Sequence, residues 1–229
     1  LPLLAPMSDI AGRIGAQVGM SLLHQPQGGK GLLLGGTPAA DRGRAVIIGA
    51  GTAGSNAAAM LAAVGAEVVV FDRKRERLVA MRALGNNVTA LYPYTAALQR
   101  EVARADIVIG AVLQTGGRAP HIISRESVRA MQAGSVIIDI SVDQGGCVET
   151  TRPTDWQQPT YVEEAVVHFA VTNMPGAVPK TASQALSAAL LPSVQNLTRT
   201  DWKTIQPLAI GINVEAGDII HPALQETFA

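Results

Sequence analysis

The stretch Ala45-Val46-Ile47-Ile48-Gly49-Ala50-Gly51-Thr52-Ala53-Gly54 decides the fold. Four apolar residues read as a buried strand and run straight into the full G-x-G-x-x-G, after which a small-residue helix is expected. Each glycine has its own task in such a strand–turn–helix unit. Gly49 permits the tight turn, Gly51 lets a pyrophosphate approach the backbone, and Gly54 lets the helix pack closely on the strand. Thr52 and Ala53 open that helix, whose first N–H groups and positive dipole end face the phosphates. A glycine-rich turn alone is weak, since many loops carry one. The second apolar run, Glu67-Val68-Val69-Val70-Phe71, strengthens it: it ends at Asp72, 21 residues past Gly51, where an acidic side chain meets the adenosine ribose hydroxyls of a dinucleotide.

Asp72 favours NAD over NADP, because its carboxylate would face and repel a 2′-phosphate. Arg73, Lys74, Arg75 and Arg77 follow at once, and such a cluster can bind phosphate. The plainer reading puts most of these cations on a solvated helix face.

Working outward, strands are expected at 45–48, 67–71, 87–89, 107–109, 136–140 and 166–171. Helical stretches at 52–64, 74–84, 95–104 and 124–131 separate the first five and supply right-handed crossovers. The fold class is therefore α/β, a Rossmann-type doubly wound parallel sheet. Upstream, Ile10, Ile14, Val18 and Leu22 share one face of a predicted helix at 9–25, with Ser8 as its N-cap. Leu32-Leu33-Leu34 is a short strand candidate. After Pro179 the pattern changes to an alanine-rich helix at 181–191 and a possible hairpin at Ala216-Gly217-Asp218. The expected division is residues 1–180, a nucleotide-binding domain with a leading linker helix, and 181–229, a C-terminal piece of a second domain.

With 48% apolar and 3% aromatic residues, the core must be built from small aliphatic side chains. Lys plus Arg and Asp plus Glu are 18 each, so no net field attracts nucleic acid or anionic lipid, and neither is an expected partner. The single cysteine, Cys147, forms no internal disulfide, and no apolar run nears the roughly 20 residues that span a bilayer. A cytoplasmic location is the default expectation. The opening Leu1-Pro2-Leu3-Leu4-Ala5-Pro6 does not read as a signal peptide and resembles a chain entered at an interdomain linker.

Further strings carry a resemblance over nearly the whole chain: Pro2-Leu3-Leu4-Ala5-Pro6-Met7-Ser8, Gln27-Gly28-Gly29, Gly49–Gly54, Gly110-Ala111-Val112-Leu113, Asp143-Gln144-Gly145-Gly146-Cys147 and Asn173-Met174-Pro175-Gly176-Ala177-Val178-Pro179. In these the sequence resembles the alanine dehydrogenase family, with the first domain of transhydrogenases as a more distant match. The resemblance implies reversible oxidation of L-alanine by NAD to pyruvate, ammonium and NADH. It also implies a homo-oligomer, hexameric in the family, with helix 9–25 in its interface. By the same resemblance Ser8, Val112, Leu113, Ile140, Asn173 and Met174 line the cofactor near the nicotinamide and its ribose, Arg77 lies near the adenosine end, and Asp143 faces the reacting carbon. The family's preceding domain carries basic residues for the substrate carboxylate and a histidine for its carbonyl, so the stretch in hand is not expected to turn over alone. The chain departs from the family at Gln114-Thr115-Gly116, where Val-Pro-Gly is usual, and at Pro93, often serine.

Asp143 can also be argued from its place. It follows strand 136–140 at the carboxyl edge of a parallel sheet, where open α/β folds bind ligands, and Gly145-Gly146 keeps that edge open. Oxidative deamination needs a group that moves protons on the amine and on attacking water, which a carboxylate can do. The plainer alternative is an aspartate capping a turn. Asp139, inside the apolar run, reads as a hydrogen-bonded structural residue, Cys147 as a small buried one, and His24, His121, His168 and His221 show no metal-ligand spacing. No metal site is expected. Two alternatives stay open: a transhydrogenase-like nucleotide domain, against which Asp143 speaks, and an NAD-binding module without catalysis.

Overall fold

The computed structural model describes residues 2–114 and 119–228. Strands β1 (Arg44–Ile48), β2 (Glu67–Phe71), β3 (Val88–Leu91), β4 (Ile107–Gly110), β5 (Val136–Asp139), β6 (Thr160–Glu163) and β7 (Val166–Phe169) form one sheet in the order β3-β2-β1-β4-β5-β7-β6. All neighbours pair in parallel except β6 with β7, an antiparallel edge. The order reverses between β1 and β4, so the crevice of a doubly wound sheet opens at their carboxyl ends.

The valines and isoleucines of β1, β2, β4, β5 and β7 are buried because helices cover both faces. On one face Val46, Val69, Phe71, Val108 and Ile137 pack with Leu98 and Val102 of α4 (Thr95–Ala103) and Val128 of α5 (Arg125–Arg129). The other face carries α1 (Ala5–Leu22) and α2 (Thr52–Ala63). Helix α1 uses a stripe of small residues: a Cβ on Gly15 would stand 3.1 Å from Ile138 Cγ2, and one on Gly19 3.3 Å from Ile138 Cγ1 and 3.4 Å from Ile107 Cδ1. At Gly12 a Cβ would run into the Ala53 carbonyl at the start of α2. The small-residue stripe of α1 is therefore packed against the chain's own sheet, and Arg13, Gln17 and Ser21 lie on the outer face.

At the amino edge, ion pairs hold the strand starts in register. Arg44 donates to Glu67 (2.6 Å) and to the buried Glu101 (2.9 Å), and Lys30 pairs with Asp106 and donates to Gln132 Oε1 (2.8 Å). At the far side, His168 of β7 lies under the ring of Tyr161 of β6, centroids 5.0 Å apart. Its Nδ1, 2.9 Å from the Val166 carbonyl, must donate, so Nε2 accepts from the Thr150 hydroxyl at 2.8 Å. Burial holds the imidazole below its usual pKa, so it is neutral in the core.

Four local expectations are corrected. Ser8 is not an N-cap, because the turn Pro2–Leu4 feeds directly into α1 at Ala5 and places Ser8 inside the helix. Leu32–Leu34 is not a strand: the N–H groups of Gly31 and Leu32 both go to the Leu23 carbonyl, folding the segment onto the end of α1. The helix expected at 124–131 shortens to Arg125–Arg129, capped by Ser124, whose hydroxyl accepts from Ser127 N–H. The strand β6 was not anticipated, and it makes the sheet mixed rather than purely parallel.

The chain divides by its packing into Met7–Val178 and a second unit built from the terminal stretches. In the second unit, α6 (Pro179–Leu197) runs 19 residues through Pro192 with no buried residue, and Leu191, Val194 and Leu197 expose one apolar face. A hairpin of β8 (Val214–Glu215) and β9 (Asp218–Ile219) follows at the expected turn. Among the described residues no helix is long and apolar enough to cross a membrane, and no cluster suits a metal ion.

Alanine is a better helix former than glycine by about 1 kcal/mol, yet Gly12→Ala is expected to destabilise the protein by about 1–3 kcal/mol, because its Cβ meets backbone. Arg13→Ala, one residue on and exposed, should stay within about 0.5 kcal/mol. Urea unfolding of the two variants checks the difference.

Candidate functional site

The glycine loop is fixed by backbone contacts that admit no side chain. Gly49 sits at φ 96°, donates its N–H to the Phe71 carbonyl at 2.8 Å, and would place a Cβ 2.6 Å from the Ala111 carbonyl. A Cβ on Gly54 would run into the Gly49 carbonyl itself, so the first turn of α2 lies directly on the loop. Gly51 differs: the nearest atom to a Cβ there would be an Arg77 guanidinium nitrogen at 3.9 Å, so its outer side is open. Gly51 is the N-cap of α2, and Thr52, Ala53 and Gly54 supply the first helical N–H groups, which lack intrahelical partners. This open backbone surface at a helix N-terminus fits the pyrophosphate of a dinucleotide.

Asp72 holds the loop from the end of β2. Its Oδ2 accepts from Ala50 N–H (2.7 Å) and from Arg77 (3.2 Å), and its Oδ1 from Lys74 N–H (2.8 Å). Burial pushes its carboxyl up, but the N–H bonds from Lys74 and Ala50 and the Arg77 guanidinium outweigh this and hold it below the ordinary 3.8. A carboxylate has about four acceptor positions, so one remains on Oδ1 for a ribose hydroxyl. Arg77 is turned back onto Asp72, whereas Arg73, Lys74 and Arg75 are exposed, as expected of a solvated face.

The remaining predicted residues lie at the ends of β4, β5 and β7. Val112 packs its side chain toward the core and Leu113 is 51% exposed. Ile140 is half-buried with its side chain against Gly15 of α1. Asp143 lies on a 3-10 turn, Ile140–Gln144, that begins where β5 stops. It is exposed, and no hydrogen bond to its carboxylate is found among the described residues. The capping aspartate is instead Asp139, whose side chain accepts from Ser141 N–H, so Asp143 is not needed to close the turn. Asn173 is exposed in the left-handed conformation (φ 52°, ψ 53°) after β7, followed by buried Met174. Ser8, on α1, is half-buried beside Asp9, which accepts from Asn56 of α2 at 2.7 Å.

Three residues outside the expected site connect it. Ser141 Oγ accepts from Val112 N–H (2.9 Å), and the Gln144 side chain both accepts from Gln114 N–H and donates to the Gln114 carbonyl (3.2 Å each). Asp139 is fully buried, takes donors from the returning segment 147–151, and is raised in pKa by that burial despite those donors. Its signal in the sequence is Asp139-x-Ser141 at a strand end, the spacing of an aspartate that caps the N–H two residues on. Thr115 and Gly116, where the chain departs from the family pattern, lie outside the described residues. A separate groove of about 370 Å³ runs along β3, between α4 and α3 (Arg75–Arg82), and has no connection to Asp143.

Because Asp72 is depressed in the folded protein, its stabilisation is complete above the ordinary carboxylate value and is lost as pH falls through the lower folded value. The stability difference between wild type and Asp72→Asn should therefore be full at neutral pH and shrink below about 3.8. Urea titrations at stepped pH measure it.

Comparison with known proteins agrees with this geometry. The family described as alanine dehydrogenase/PNT, C-terminal domain, matches residues 15–222. Alanine dehydrogenase 2 of Staphylococcus aureus (strain USA300) is 43% identical over 234 residues, covering 100% of this chain and 63% of the relative. The alanine dehydrogenase of Halomonas elongata is 44% identical with the same coverage. A solved L-alanine dehydrogenase superposes with a TM-score of 0.92 at 48% identity, over 99% of this chain and 64% of that one. The transhydrogenase of Sinorhizobium meliloti, 23% identical with a TM-score of 0.78 over 96% and 61% of the two chains, shares the fold. The chain thus spans under two thirds of the length of these relatives. Its glycine cradle, the acid at the end of β2 and the Asp143 turn stand on a fold matched almost end to end, and the chain belongs to the alanine dehydrogenase/PNT C-terminal domain family.

Proposed function

We propose that this chain is the nucleotide-binding part of an NAD-dependent alanine dehydrogenase that converts L-alanine and water reversibly to pyruvate and ammonium. The observation that carries this reading is Asp143: an exposed carboxylate at the carboxyl end of β5, on a turn tied through Ser141 to the loop that starts beside the glycine cradle. NAD, when bound, supplies the acceptor for the hydride that leaves the alanine α-carbon.

The chain's own residues do the rest. The N–H groups at the start of α2 bind the pyrophosphate, with Gly49, Gly51 and Gly54 allowing the approach. Asp72 accepts from a ribose hydroxyl with its remaining position and disfavours a 2′-phosphate there, with Arg77 alongside. Ser8, Val112, Leu113, Ile140, Asn173 and Met174 border the nicotinamide end in this reading, as the family likeness implies. Asp143 takes the amine proton before hydride leaves and releases it to solvent, then removes a proton from the attacking water and passes that proton to the departing ammonia.

The segment after residue 180 completes a substrate domain whose remainder is the third of the relatives' length not matched here, and the apolar face of α6 is suited to pack against it. We place the whole protein in the cytoplasm as a homo-oligomer, hexameric by family likeness.

Alanine-dependent NADH formation by the full-length protein tests the reading. Asp143→Asn is expected to lower kcat by about 10²–10⁴-fold while NAD still binds, and NADP should be a poor substitute. Tight NAD binding without alanine turnover in the wild type would overturn the dehydrogenase in favour of a transhydrogenase-like or purely binding module.

A further inference from the structure

Asp139 is the last residue of β5, has no solvent exposure, and is not one of the residues assigned to nucleotide or substrate above. Its two oxygens collect donors from both sides of the Asp143 turn. Oδ1 accepts from Ser141 N–H at 3.0 Å and from the Cys147 thiol at 3.7 Å, and Oδ2 from Cys147 N–H (2.9 Å), Val148 N–H (3.2 Å) and the Thr151 hydroxyl (2.7 Å). Space is cleared for it by glycine. A Cβ on Gly110, its register partner in β4, would stand 3.1 Å from Oδ1, and one on Gly146 2.9 Å from Oδ2.

One carboxylate therefore fixes where the turn leaves β5 and where the chain returns at 147–151. Ser141, whose N–H it anchors, in turn accepts from Val112 N–H, so the position of the β4 loop also depends on it. An amide could not replace it: all five donors point at acceptors, and asparagine would turn an NH₂ group toward one set of them.

We propose that Asp139 is the positioning residue for the reaction, setting Asp143 against the Val112–Leu113 loop through the buried cluster of Ser141, Cys147, Val148 and Thr151. The proposal rests on the reading of Asp143 as the proton-moving group. Reaction rates are sensitive to such placement: about 1 Å of misplacement can cost about 100-fold.

The test compares three variants of the full-length protein: Asp139→Asn, the milder Thr151→Val, which removes only one donor, and Lys30→Met, which breaks an ion pair at the opposite sheet edge. Each is measured for kcat, KM for alanine, NAD affinity, melting temperature and amide hydrogen exchange. Asp139→Asn is expected to lose about 10- to 100-fold in kcat, with NAD affinity, set mainly at the glycine cradle and Asp72, changed far less than kcat, and with exchange accelerated at Val112, Ser141 and Cys147 but not in β1. Thr151→Val should move the same quantities less. Lys30→Met should lower the melting temperature and leave kcat and those amides as in the wild type. Wild-type kcat in folded Asp139→Asn or Thr151→Val overturns the proposal, as does a kcat loss in Lys30→Met proportionate to its destabilisation. If Asp139→Asn does not fold, Thr151→Val decides. If the wild type does not oxidise alanine, the functional reading fails, and unaccelerated exchange at Val112 in Thr151→Val would separately overturn the positioning role.

Discussion

Backbone laid directly on backbone is the constraint on which the rest of this structure depends. At the carboxyl end of β1 the Gly49 carbonyl touches Gly54, Gly49 itself lies against the Ala111 carbonyl, and Gly12 of α1 lies against the Ala53 carbonyl. Three elements and a loop converge where a single methyl group is already too large. Dispersion favours such close approach, but the larger effect is geometric: the unpaired N–H groups of α2 are brought to the crevice while the helix stays packed on the sheet. The aromatic-poor composition fits the same economy, since alanine, valine and glycine let layers come close where rings would hold them apart.

The two edges of the sheet are stabilised by different means. At the amino edge, charged side chains meet one another: Lys30 with Asp106, and Arg44 with Glu67 and Glu101. At the carboxyl edge, carboxylates meet backbone N–H groups instead, Asp72 at the glycine loop and Asp139 at the β5 turn. The difference has a functional sense. An ion pair joins two flexible side chains, whereas a carboxylate gathering main-chain donors fixes the path of the backbone, and the path of these loops decides where a ligand can sit.

What the sequence disclosed followed from how local each signal is. The glycine fingerprint, Asp72 and the buried valine runs carry their meaning within some thirty residues, and the parallel strands they imply are the ones observed. Strand β6 escaped because Thr160-Tyr161-Val162-Glu163 is short, half-exposed and paired only with the strand that follows it. Leu32-Leu33-Leu34 misled because an apolar triplet looks like a strand until its N–H groups find another acceptor, here Leu23. Asp143 stands out as a candidate from its place after a strand. The roles of Ser141, Gln144 and Thr151 do not, because their partners are set by how three separated loops close on one another.

The buried cluster at the end of β5 also contains the chain's only thiol. Cys147 has no exposure, lies against Gly110 and Asp139, and its thiol is pushed well above its usual pKa by burial and by the neighbouring carboxylate. In the closed structure it is neither ionised nor reachable, so an alkylating reagent can modify it only in the moments when this cluster opens. The protein thus carries its own clock: the rate at which one sulfur is labelled reports the opening of the carboxyl edge of its sheet, with no probe introduced.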